Sequence, residues 1–112
     1  MQYALLIYTR PSTQDAARPM DSAIAAVLAR PNVTGWARLH AEESATTVRH
    51  GANQAVLTDG PFIETKEYLA GLVMVDAKNL DEALAVAQEL HETMTGGAIE
   101  VRPVREALFH GA

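Results

Sequence analysis

The chain contains no cysteine, which excludes disulfides, thiolate metal ligands and a cysteine nucleophile. A cysteine-free chain fits a reducing compartment, and the expected location is cytoplasmic. Basic residues are few: nine Lys and Arg stand against fourteen Asp and Glu, for a net charge of -5. There is no basic run and no basic stripe with interleaved aromatics. Direct nucleic-acid binding is therefore not expected, because phosphate rewards clustered Lys and Arg. No apolar run approaches the roughly 20 residues that span a bilayer. The opening Met1-Gln2-Tyr3-Ala4-Leu5-Leu6-Ile7-Tyr8 lacks the basic start and cleavage pattern of a signal peptide. No membrane partner is expected.

The 112 residues are 48% hydrophobic and 21% charged, an ordinary globular mix. That length fits one domain, residues 1–112, burying roughly two-thirds of its unfolded surface. Tyr3 to Tyr8 is a continuous apolar run, the pattern of a strand buried on both faces. Pro11 to Pro19 reads as a loop. Asp21 or Ser22 caps a short helix with Ile24, Val27 and Leu28 on one face, and Pro31 ends it. Gly35 to His40 alternates, and so predicts a second strand with Trp36, Arg38 and His40 on one face. Thr46 to His50 and Gln54 to Thr58 predict a hairpin. Leu69 to Val75 is a further strand, in which Gly71 marks a bulge or a close approach. Asn79 and Glu82 fit a capping box. The helix they open carries Leu80, Ala83, Leu84, Ala87 and Leu90 as its apolar stripe and stops at Gly96-Gly97. Ala98 to Val104 is the last strand, with Ile99, Val101 and Pro103 opposite Glu100 and Arg102.

This order predicts an α+β domain: a ferredoxin-like split βαβ with an extra hairpin and an antiparallel sheet. Both helices cover one face. Ala4, Leu6 and Tyr8 then lie on the other, and an exposed apolar sheet face calls for cover. A second copy of the chain is the simplest cover, so a homodimer is expected.

Thr58-Asp59-Gly60-Pro61-Phe62-Ile63-Glu64-Thr65-Lys66-Glu67 resembles the signature of the YCII-related family, in its DGPF branch. The first strand, Arg38-Leu39, Ala45 to Arg49, the Asp81-Glu82-Ala83-Leu84 helix start and Ile99 to Val104 also resemble that family. The resemblance implies a dimeric α/β barrel in which two sheets close around a shared interior. Some relatives occur beside or fused to extracytoplasmic-function sigma factors, which implies a regulatory setting. The chain departs from the pattern in two places. The stretch between the first strand and Gly35 is short for the branch. Other YCII-related proteins carry a His, of a His–Asp pair, after a proline near the first helix. Here Arg18-Pro19-Met20-Asp21 has none, and the histidines are His40, His50, His91 and His110.

Several candidate site residues follow. Asp59 is either the acceptor of a tight turn, bonding amides just after itself with Phe62 buried beneath, or a general base at a cavity mouth. His40 is either a strand-end residue or an acid–base group. Glu64 and Lys66 belong either to a solvated loop or to a lid over a ligand. Arg38, Glu100 and Arg102, with Tyr8 on the non-helical face, form either a self-satisfied polar network or an anion-holding site. Histidine spacing gives no metal site, and there is no Gly-rich phosphate loop or Gly-x-Ser-x-Gly elbow. No metal and no cofactor is expected. His91 and His110 are expected at the surface. Three functions stay open: an enzyme or binder for a small anionic or aromatic molecule in the barrel cavity, a non-catalytic sensor, and an interaction module.

Overall fold

The apolar run at the start of the chain becomes an inner strand of a sheet. The structure, a computed structural model, describes residues 1–10 and 20–109, so the expectations for Pro11 to Pro19 and for His110 lie outside the described residues. The elements are β1 (Gln2–Thr9), α1 (Ser22–Leu28), β2 (Val33–Arg38), β3 (Thr46–His50), β4 (Ala55–Asp59), β5 (Tyr68–Asp76), α2 (Leu80–Glu92) and β6 (Ala98–Pro103). A single 3-10 turn, Glu42–Ser44, joins β2 to β3. Four strands form one antiparallel sheet in the order β2-β5-β1-β6, and β3-β4 forms a second. This is an α+β, ferredoxin-like arrangement with a hairpin inserted between its second and third sheet strands.

Alternation decides which side chains enter the core. Tyr3 and Leu5 of β1 and Val73 and Val75 of β5 pack on Val27 and Leu28 of α1 and on Ala83, Val86, Ala87 and Leu90 of α2. Leu5 and Val75 are wholly hidden from solvent. Ile99 and Val101 pack against this cluster as expected. On the other face Ala4 stands opposite Met74 and Leu6 opposite Leu72, all half-buried. Glu100 and Arg102 lie opposite Leu6 and Ala4, and so share that face.

The helices keep most of their sequence signals. Asp21 caps α1 by accepting from Ala23 N at 2.7 Å, and α1 ends before Pro31. Asn79 caps α2 by accepting from Glu82 N at 3.0 Å. The returning bond departs from a capping box: Glu82 accepts from Lys78 N at 2.6 Å, one residue further back. The apolar stripe is also turned. Ala83, Val86, Ala87 and Leu90 face the sheet, while Leu80 and Leu84 are exposed. Leu84 sits about 100° round the axis from Ala83, which takes it off the stripe that Val86 completes.

The main correction concerns β2. It spans Val33–Arg38, not Gly35 to His40. Val33 pairs with Val75 but Gly35 with Met74, so Thr34 is an extra, bulged residue. A bulge reverses the alternation beyond it. Trp36 and Arg38 therefore stand opposite Val73 and Gly71, on the helix side, and Ala37 stands opposite Leu72 on the open side. A second irregularity lies between Ile7 and Tyr8: Ile7 pairs with Gly71 and Tyr8 with Leu69, leaving Ala70 over. Gly71 meets both expectations for it, since it adjoins this bulge and a Cβ there would lie 2.8 Å from the Ala37 carbonyl oxygen.

Two predictions follow from the packing. Gly71→Ala forces β2 away from β5 and costs about 1–3 kcal/mol, the range for overpacking, read from urea unfolding. Arg30, after α1, grips Glu89 of α2 with both terminal guanidinium nitrogens, one at 2.9 Å. The hydrogen bond and charge of Arg30 hold the Glu89 carboxyl below its ordinary range. A depressed carboxyl stabilises above its unfolded pKa and loses that contribution as pH falls through its folded pKa. The stability gap between wild type and Glu89→Gln is thus open at pH 7 and closes on acidification through the carboxylate range. A gap that is constant with pH contradicts the assignment.

Candidate functional site

The two bulges determine what gathers at one end of the sheet. Beyond the second bulge, Leu69 comes beside Tyr8 on the open face. At the end of β2, Leu39 N bonds Ala70 O at 2.9 Å, which carries the chain past β5 into His40 and the 3-10 turn. The hairpin then leaves, and its return through Gly60 to Glu67 closes a cleft of about 760 Å3. Its walls include Tyr8, Leu39, His40, Phe62, Tyr68 and Leu69. Ala41, Glu42, Ser44, Ala45, Thr46, Thr47, Pro61, Ile63, Thr65 and Glu67 complete the lining.

The loop after β4 is held by its backbone. Gly60 takes a positive φ of 98°, which a side chain resists. Its N–H donates to Ala45 O at 2.7 Å, and its carbonyl accepts from the Thr47 hydroxyl at 2.8 Å. Further on, Thr65 N donates to the Tyr68 hydroxyl at 3.2 Å, and Glu67 N to the Thr65 hydroxyl at 3.1 Å. The Thr65 hydroxyl in turn donates to Glu67 O. These contacts correct the expected anchoring. Asp59 makes no side-chain hydrogen bond among the described residues; it ends β4 opposite Thr46 and is exposed. Phe62 is 60% exposed, with the Arg49 guanidinium 4.6 Å from its ring centre. Polar backbone bonds, not a buried aromatic, fix the turn.

The residues expected to form a site are distributed as follows. Tyr8 and His40 line the cleft. Asp59, Glu64 and Lys66 belong to its neighbourhood but not to its walls. Glu100 pairs with Leu6, two residues and roughly 7 Å along β1 from Tyr8. Arg102 lies a further two residues away, with its Nε 4.0 Å from the Glu100 carboxylate and both side chains more than half exposed. Arg38 is on the opposite side of the sheet, so Arg38 and Arg102 do not converge. Pattern reading missed Leu39, Tyr68 and the threonines at the hairpin base. The Thr46-Thr47 pair beside a turn sequence was the available signal, since short hydroxyl side chains bond turn backbone. Among the described residues no group of three His, Asp or Glu is placed to hold a metal. No helix of the described residues is long and apolar enough to cross a membrane.

Comparison with known proteins places this architecture. The model of the YCII-related domain matches residues 1–108. The chain belongs to the YCII-related domain family. It is also 45% identical, over 69 residues, to an uncharacterised protein of Rhizobium meliloti (strain 1021). That match covers 61% of the chain and 56% of the relative, so the chain spans little more than half the relative's length. In this YCII-related chain the segment carrying Asp59 to Glu67 is a cleft wall hung on Gly60. Phe62→Ala therefore costs about 1 kcal/mol in denaturant unfolding of the monomer, mostly its cation–π contact. The roughly 3–5 kcal/mol lost with a buried aromatic would mean that Phe62 is covered.

Proposed function

We propose that this YCII-related chain, of the DGPF branch, is a one-domain cytoplasmic protein that forms a homodimeric α/β barrel and binds a small aromatic molecule in its cleft, without a cofactor. The observation that carries it is the lining. Tyr8, Phe62 and Tyr68 bring three aromatic rings to one cleft, with hydroxyls and His40 among them. Such a mix of apolar wall and a few directed polar groups suits a small organic ligand. Tyr8 and Leu69 of the cleft lie on the same sheet face as Leu6, Leu72 and Met74, which a second copy would cover.

The charges favour an uncharged ligand over an acid. Glu42 and Glu67 are in the walls, whereas Arg38 and Arg102 are not. Anion capture by an arginine fork would require them together. The geometry also favours binding over turnover, the sensor alternative, because Asp59 does not line the cleft beside His40.

Sedimentation and thermal-shift measurements test both parts. The chain sediments at twice its 12.1 kDa mass at micromolar concentration; a clean monomer contradicts the barrel. Substituted phenols raise the melting temperature in a concentration-dependent way, and Tyr8→Ala weakens that binding at least tenfold. Benzoates that bind where phenols do not would restore the anion reading. Equal binding by Tyr8→Ala would put the ligand elsewhere.

A further inference from the structure

The β3–β4 hairpin and the sheet share no strand pairing: β3 and β4 bond only to each other, and of their ten residues all but Thr47 are exposed. The segment returning from the hairpin is divided between two anchors. Its first part is tied to the hairpin side. Gly60 N–H donates to Ala45 O, the Gly60 carbonyl accepts from the Thr47 hydroxyl, and the Arg49 guanidinium lies over the Phe62 ring. Its last part is tied to β5. Thr65 N donates to the Tyr68 hydroxyl, and the Thr65 hydroxyl holds both the N–H and the carbonyl of Glu67. Between the two anchors Ile63 and Glu64 make no hydrogen bond among the described residues. The outgoing link is equally short. Leu39 N makes the last bond to β5, at Ala70 O, and Ala41 O already belongs to the 3-10 turn through Ser44 N.

The cleft lies across this division. Tyr8, Tyr68 and Leu69 belong to the sheet, whereas Thr46, Thr47 and Phe62 belong to the hairpin side. We propose that the hairpin is a hinged wall of the cleft, turning about His40–Ala41 and Ile63–Glu64 and fastened when a small molecule occupies the cleft. The proposal rests on the ligand reading above and adds that occupancy sets the order of the hairpin. A two-stranded hairpin is marginally stable alone, and a segment with so few buried contacts opens at low free energy. A ring held against Tyr8 and Phe62 together touches both sides of the division. That contact exists only while the walls are closed, so binding shifts the population toward the closed form. Arg49 on Phe62 carries the effect into β3. A sensor needs a structural consequence of binding, and this coupling supplies one.

Amide hydrogen exchange with and without saturating 4-ethylphenol tests it. In the free protein the amides of Thr46 to Asp59 exchange about 100-fold faster than those of β1 and β5. With the phenol bound they slow at least tenfold. Phe62→Ala, brought to saturation with more phenol, leaves the hairpin rates within about twofold of those in the free protein, because the bridge to the hairpin is gone. Hairpin amides as protected as β1 and β5 in the free protein overturn the hinge. If the phenol raises the melting temperature and Tyr8→Ala weakens it, but hairpin exchange is the same free and bound, the coupling is overturned and the ligand site stands. Protection that survives Phe62→Ala also overturns the coupling. A chain that binds no phenol overturns both.

Discussion

The four-stranded sheet is apolar on both faces, and among the described residues helices cover only one. Two helices cannot do otherwise in this topology: both connections cross the same side, and α1 and α2 pack on Tyr3, Leu5, Val73 and Val75 together. The face bearing Ala4, Leu6, Leu72 and Met74 is left half-buried by its own neighbours alone. The inserted hairpin, the cleft and the exposed apolar residues around Gly60 all lie at or beyond one end of that face.

Two single-residue irregularities decide which side chains that face carries. At Thr34 the bulge moves Trp36 and Arg38 to the helix side and gives the open side to Gly35 and Ala37, the smallest side chains available. At Ala70 the second bulge brings Leu69 beside Tyr8. Bulges increase local twist and re-aim side chains; here one lies opposite Met74 and Val75 and the other between Leu69 and Gly71, toward opposite ends of β5. Gly71 allows the two effects to coexist, since the Ala37 carbonyl lies where its side chain would be. The same backbone proximity lets Leu39 bond Ala70 and start the cleft wall.

Sequence pattern was a good guide to what depends on period and local chemistry. β1, β3 and β5, the caps at Asp21 and Asn79, and the opposition of Ile99 and Val101 to Glu100 and Arg102 were all legible, because hydrophobic alternation and short polar caps act within a few residues. The β2 face was not legible. A bulge adds one residue without changing the composition, so alternation from Gly35 onward groups Trp36 with Arg38 correctly but does not say which face meets the helices. Phe62 was misread for a different reason: aromatics are usually buried, and nothing in the sequence shows that the turn is already held by Gly60, Ala45 and Thr47. Leu80 and Leu84 belong to the same class, since a stripe reads equally well one residue round until the sheet chooses. Of the cleft, Tyr8 and His40 were found; Tyr68 and the threonines belong to a wall that exists only once the hairpin folds back.

The charged pair on β6 limits how a partner can lie. Glu100 and Arg102 share the open face and stand 4.0 Å apart, each more than half exposed, a pairing worth about 0–1 kcal/mol in water. Buried at the centre of an interface the two would face a desolvation cost of several kcal/mol per ion, which one long contact does not offset. At a polar rim they cost little and help to fix register. β6 is an edge strand and β1 and β5 are inner strands, so the charges are already at the margin and Leu6, Leu72 and Met74 at the middle. A face built this way favours a partner centred on β1 and β5, with the β6 edge wet. The charge placement follows the sheet order: the ion pair lies on the edge strand, and Leu6, Leu72 and Met74 lie on the inner strands.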